Sequence, residues 1–225
     1  MINFDALFKV TYGLYIVSSG NNKTGNGFIS NTVFQVTAEP PRFASCCNKK
    51  NYTNGLIEKN GHFSITVLDQ KTSPEIFGMF GYKSGKDLNK FESMDIEFGQ
   101  TGVPIVMNNA IAVLECRVVQ KFDVGTHNLY IGELIQARIV NDTEEPMTYS
   151  YYRKVRKGYA APNAPTYIDK AKLVKETVTF GNGFYKCSAC GYIYNESSEG
   201  LKMSELPENW KCPVCGSEKE FFNEV

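Results

Sequence analysis

From Phe8 to about Val140 the chain alternates apolar and polar positions over short runs, the period-two pattern of strands with one buried face. "GLYIVSS" and "GFISNTVFQVT" carry this pattern on either side of the polar, glycine-rich "GNNKTGN", which predicts a hairpin. "RFASCCN" and "HFSITVLD" are further β-rich runs, with a short helix predicted between them over "YTNGLIEKNG". "SPEIFGMFGYKSG" can open a second helix, with Ser73 as cap and Pro74 in the first turn. The two longest alternating runs, "AIAVLECRVVQKF" and "HNLYIGELIQARIV", are joined by "DVGT" and predict paired antiparallel strands. Many strands, few helices and no βαβ rhythm predict a mainly β fold, an antiparallel barrel with a few short helices.

After Tyr151 the pattern breaks. "YYRKVRKGYAAPNAPTYI" is aromatic and basic, and reads as a segment partly packed on the barrel. A linker follows, ending near Gly183 in "FGNGF", and a tether there would be flexible. The expected division is a first domain over 1–165, a linker over 166–183 and a small metal domain over 184–225.

Composition narrows the function. At 42% hydrophobic residues the chain can bury a real core. Lys+Arg and Asp+Glu are both 24, so no bulk field draws nucleic acid. The charge is unevenly placed, however: from Cys187 onward seven glutamates face three lysines. No stretch is long and apolar enough for a membrane span. The start, "MINFDALFKVTYGLYIV", lacks the features of a signal peptide. With seven cysteines and no export signal, a reducing, cytoplasmic setting is expected, where CxxC pairs hold metal rather than form disulfides.

"YKCSACGYIY" and "WKCPVCG" supply two such pairs, Cys187 with Cys190 and Cys212 with Cys215. Four thiolates make a tetrahedral sulfur site suited to zinc or to a single iron. Gly191 and Gly216, just after the knuckles, can take the positive φ that each turn needs. So small a module has too little core of its own, and metal binding should help to fold it. A structural zinc ribbon shares the spacing, but Tyr185, Tyr192, Tyr194, Trp210 and Phe222 are a heavy aromatic complement for one. With "LPENWKCPVCG" and the trailing "FF", the stretch resembles rubredoxin over nearly its whole length. That resemblance implies one iron ion on Cys187, Cys190, Cys212 and Cys215, carrying single electrons. The span between the knuckles is shorter than is common in that family, and Met203 stands where an aromatic is usual.

A tetrathiolate iron cannot accept a hydride, so NAD(P)H needs an adapter that takes two electrons at once and releases them singly, as flavin does. No GxGxxG follows a strand, which argues against a Rossmann half. Instead, "GFISNTVFQVTAEPPRFASCCNKKNYT", "HFSITVLD", "FGYKSGKDLNKF" and "FDVGTHNLYIGEL" resemble, in order and spacing, the flavin-reductase-like family of FMN-binding split barrels. The resemblance covers roughly residues 5–165, and with the tail the whole chain looks like the high-molecular-weight rubredoxins.

It implies FMN in the barrel and places His127 near the flavin or nicotinamide, as the candidate catalytic residue. The local chemistry suits a phosphate and its neighbours. Ser30, Asn31 and Thr32 stand at a strand break, and Ser45, Asn48, Lys49 and Thr53 precede or open a helix, where N–H groups favour anions. Cys46 or Cys47 can line the pocket, since the two point to opposite faces of a strand. Tyr159 and Arg156 can edge the flavin site or meet the acidic tail.

The function implied is electron transfer from NADH or NADPH through FMN to the iron and on to a partner. A flavodiiron protein reducing oxygen or nitric oxide is the expected acceptor, and a homodimer the expected assembly. The alternatives are a non-enzymatic relay that binds no nicotinamide, and a binding module with structural zinc.

Overall fold

The computed structural model describes residues 2–169, 172–173 and 182–225. Much of the expected 166–183 linker therefore lies outside the described residues.

The predicted hairpin pairs β1 (Tyr15–Gly20) with β2 (Gly25–Ser30), from Tyr15 opposite Ser30 to Gly20 opposite Gly25. Asn21 nucleates its turn, its side-chain oxygen accepting from the Lys23 and Thr24 amides at 2.9 and 3.0 Å. The run after it is broken in two, and β3 (Val33–Ala38) restarts beyond Asn31 and Thr32. β4 (Pro41–Asn48), α1 (Tyr52–Asn60) and β5 (His62–Leu68) follow as the pattern predicts. The Asn51 side chain caps α1 by accepting from the Thr53 amide, and Gly61 ends it at φ 66°.

α2 (Pro74–Phe77) begins on its proline and runs into one π-helical turn, Gly78–Tyr82. Ser73 occupies the cap position but makes no side-chain capping bond. β6 (Ile96–Phe98) and β7 (Pro104–Val106) form a small separate ladder. The long runs become β8 (Ala110–Asp123) and β9 (His127–Ile139), antiparallel throughout, and α3 (Tyr149–Lys154) follows.

The main sheet has the order β2-β1-β5-β8-β9-β4-β3. β2 and β3 hold its opposite ends, yet only Asn31 and Thr32 separate them in the chain. The sheet must therefore curl until its ends meet, which makes a barrel with its seam at those two residues. The Cys46 amide donates to the Thr32 carbonyl at 3.3 Å, carrying the β3–β4 pairing one step toward the seam. Inside lie Val17, Cys47, Phe63, Ile65, Cys116 and Tyr130, all buried. Burying six such side chains supplies a stabilisation on the order of 10 kcal/mol before the entropy of ordering them is set against it.

A second apolar cluster lies outside the barrel wall. Leu14, Ile76, Phe77, Phe80, Tyr149 and Tyr152 belong to it, and it runs without a break into the C-terminal module. That module is a three-stranded sheet, β10 (Phe184–Cys187), β11 (Ile193–Asn195) and β12 (Phe222–Glu224), in the order β11-β10-β12. Trp210 packs edge-on to Tyr194 and Phe222, with centroids 5.6 and 5.2 Å away, so the aromatic residues supply most of the core. Met203 is buried beside them, its amide donating to Glu196 Oε1 at 2.7 Å. Among the described residues no helix is long and apolar enough to cross a membrane.

Candidate functional site

The two CxxC turns close as the glycines require. The Gly191 and Gly216 amides donate to the Cys187 and Cys212 carbonyls at 2.8 and 2.9 Å, with φ of 78° and 70°. They bring four sulfur atoms within 4.8 Å of one another, Cys187 to Cys215 at 3.9 Å and Cys190 to Cys212 at 3.6 Å. A tetrahedral ion with metal–sulfur bonds of about 2.3 Å needs edges of about 3.8 Å, so the thiols already fit a metal. Without a cation they cannot all ionise: interaction with Cys187 pushes the Cys190 thiol up and holds the Cys215 thiol down. A bound metal removes that conflict.

A pocket of about 650 Å³, counting the solvent at its mouth, opens on the barrel beside this module. Its floor is apolar and aromatic, from Leu14, Phe77, Phe80, Tyr82 and Tyr152. Its polar side carries Asn31, Asn48, Asn51 and Asn163. A neighbouring groove adds Lys49, Lys50, Thr126 and His127, and shares Cys46, Asn48 and Asn163 with the pocket.

Strand register explains who faces it. Asn48 stands opposite His127 on β9 and Cys46 opposite Leu129, so these side chains share one face. Ser45 and Cys47 point the other way, into the barrel. Burial raises the thiol pKa of both Cys46 and Cys47, to the greater degree for Cys47.

The segment from Gly158 to Tyr167 forms the pocket's outer wall, tied down by four side chains. Asn31 Nδ2 donates to Thr166 Oγ1, and Asn48 Nδ2 to the Asn163 carbonyl at 3.2 Å. His127 Nε2 donates to the same carbonyl at 3.0 Å, while its Nδ1 accepts from the Thr126 hydroxyl at 2.8 Å. Tyr82 donates to the Tyr159 carbonyl at 2.8 Å.

Asn31 Oδ1 is buried and has no hydrogen-bond partner. An orphaned acceptor on a pocket wall fits a ligand that donates, as the N–H and hydroxyl groups of a flavin do. The helix start at Asn51, with Lys49 and Lys50 beside it, fits an anionic group. Lys49 also pairs with Asp123 at 2.6 Å.

Of the remaining expected residues, Ser30, Thr32, Ser45 and Thr53 stand apart from the pocket wall. Thr53 is fully buried and accepts from Asn26 at 3.0 Å, pinning α1 to β2. Ser30 accepts from the Thr32 amide at 3.4 Å, which shapes the seam rather than the pocket. Ser45 Oγ is buried and unpartnered inside the barrel. Tyr159 edges the pocket, whereas Arg156 donates to the Gln70 carbonyl at 3.1 Å. Asn163, Tyr82, Tyr152 and Phe77 are the site residues that sequence reasoning missed. Tyr152 and Asn163 fall in the aromatic run "YYRKVRKGYAAPNAPTYI" and Phe77 and Tyr82 in "SPEIFGMFGYKSG", and neither pattern gives a partner for any of them.

Residues 7–158 match the flavin reductase like domain family, and residues 184–222 match rubredoxin. The chain is 34% identical to a high molecular weight rubredoxin of Moorella thermoacetica, over 98% of either protein. It is 39% identical to a ferric-chelate reductase (NAD(P)H) of Archaeoglobus fulgidus, over 75% of this chain and 99% of that one. The NADH:FAD oxidoreductase of Streptomyces globisporus shares the fold, with a TM-score of 0.57 at 22% identity over 63% of this chain and 82% of that one.

Proposed function

The chain belongs to the flavin reductase-like family and ends in a rubredoxin domain, and from that premise we propose that it oxidises NAD(P)H and delivers single electrons to a partner protein. Its cofactors are FMN and one iron on Cys187, Cys190, Cys212 and Cys215. Bound FMN accepts a two-electron hydride and gives electrons up singly, which is the form a tetrathiolate iron can take.

The observation that carries this reading is that the two sites share tyrosines, Tyr82, Tyr149 and Tyr159. Tyr82 lines the aromatic pocket and also the cleft into which Cys190 opens. The chain's own residues then divide the work. Phe77, Phe80 and Tyr152 give the ring system an apolar bed that excludes water. Asn31 offers an acceptor to it, and Lys49, Lys50 and the start of α1 offer positive potential to the phosphate. His127 holds the Asn163 wall beside the place where a nicotinamide would lie, and keeps a proton on Nε2 to do so.

An O₂- or nitric oxide-reducing flavodiiron protein suits the one-electron output as acceptor. Phe34 and Val36, exposed on edge strand β3, support a homodimer. A cytoplasmic location suits the free thiols.

Anaerobic stopped-flow mixing with NADH and with NADPH tests the proposal. Flavin bleaching followed by iron bleaching is the expected sequence. Flavin that stays oxidised with both nucleotides would leave a relay fed by another protein.

A further inference from the structure

Two glycines let the metal module touch the barrel backbone to backbone. A β-carbon on Gly78, in the π-helical turn, would collide with the Cys215 carbonyl oxygen. One on Gly216 would meet Glu75 Cα and N at 3.3 Å, tighter than ordinary packing. Gly216 also needs its positive φ for the knuckle, but Gly78 does not, being ordinary right-handed helix. Nothing local requires glycine at position 78. The contact with Cys215 does.

The contact sets the cluster beside the aromatic pocket. The Tyr82 phenol donates to the Tyr159 carbonyl, and the Tyr152 ring packs on Phe77, the residue before Gly78, with centroids 4.6 Å apart. The Tyr82 and Tyr152 rings line the aromatic pocket, and Tyr82 also lines the cleft that Cys190 faces. On the sulfur side, Cys187 and Cys212 are wholly enclosed and Cys215 is 4% exposed. Cys190 alone is partly open, and the cleft it faces is walled by Tyr82, Tyr159 and Ala160 of the barrel.

We propose that the Gly78–Tyr82 turn is a seat for the metal module, which holds the Cys215 backbone against Gly78 and sets Cys190 on the cleft lined by Tyr82. The inference rests on the function proposed above. Seated, the cluster is placed to be reduced through the pocket wall. In that position it shows an outside acceptor only the Cys190 edge in the cleft, and it is more widely reached when the module leaves the seat, so loading and delivery alternate. The electron balance follows: each nicotinamide oxidised gives two electrons and a proton, a ferric site takes one, and two seatings account for the pair. Gly78 is a positioning residue. It touches neither cofactor, and its part is to let Cys215 approach.

The full-length protein tests this in two ways. In nuclear magnetic resonance spectra, the amides of Met79–Tyr82 should be broadened in the ferric protein relative to the zinc-loaded one. In Gly78→Val, or in Gly78→Ala if valine prevents folding, that broadening should vanish while FMN affinity and the ferric absorption spectrum persist. Anaerobic kinetics should then split in sign. Iron reduction after nicotinamide addition should slow by roughly tenfold or more, as expected when reacting groups lose their alignment. Oxidation of the ferrous protein by ferricyanide should accelerate. Met79–Tyr82 amides that stay sharp in the wild-type ferric protein would overturn the seat. So would a variant in which the two rates are unchanged or fall together. If neither nucleotide reduces the flavin, the proposed function fails, while the spectral result still decides the seat.

Discussion

Asn48 and His127 stand directly opposite each other on β4 and β9, and both donate to the Asn163 carbonyl, at 3.2 and 3.0 Å. One acceptor thus holds the pocket wall to two strands. Replacing Asn48 by alanine leaves the histidine bond and removes the other. FMN affinity should fall by roughly three- to tenfold, the equivalent of one net hydrogen bond of about 1 kcal/mol. Fluorescence titration of the apo-flavoprotein checks this, and the iron spectrum should not change.

Lys90 is 3% exposed, with its amine donating to the Gly27 carbonyl at 3.0 Å and no carboxylate among the described residues paired to it. Burial lowers its pKa from 10.5 to about 8. The folded state therefore binds fewer protons than the unfolded state between about pH 8 and 10.5, and within that window this group makes stability rise with pH. Below pH 8 the protein carries a buried charge at a cost. Lys90→Met should be more stable than wild type at pH 7, by up to about 3 kcal/mol. The gain should shrink toward pH 10 in paired urea titrations. An advantage that grows with pH would contradict the assignment.

Glu115 is buried on β8, and its carboxylate accepts from the Gln100 and Thr101 amides at 3.0 and 2.8 Å and from the Thr101 hydroxyl. Glu115→Gln turns one of those oxygens into a donor facing a donor. A loss of about 1–3 kcal/mol in stability is expected, with little effect on either cofactor. Denaturant melts followed at 222 nm measure the first, and the visible spectrum the second.

Cys190→Ser replaces the partly open ligand of the cluster with a harder one. Iron absorption should be lost or shifted, with flavin content near normal. Removal of the metal altogether should release amide protection in β10, β11 and β12 first. The module's three short strands and aromatic cluster are too small a core to stand alone. Hydrogen exchange should leave β8 and β9 protected.

Features that depend on near neighbours could be read from the chain alone. Alternation gave β1, β2, β8 and β9 and their pairing, because period two fixes which side chains share a face. The cysteine knuckles and their glycines followed from spacing, since one tight turn with a positive φ is the whole geometry. Even the break at Asn31 and Thr32 was visible as a polar step between apolar runs. Tertiary structure decided the rest. Tyr82 meets Tyr159 across 77 residues, Asn48 meets Asn163 across 115 and Asn31 meets Thr166 across 135. No local pattern encodes such pairs, because closing the barrel is what brings them together. The same closure turns Thr53 toward Asn26 and leaves Asn31 Oδ1 waiting on the pocket wall. Gly78 shows the limit most plainly: within its own helix any residue would serve, and only the Cys215 backbone, arriving from 137 positions away in the sequence, excludes a side chain.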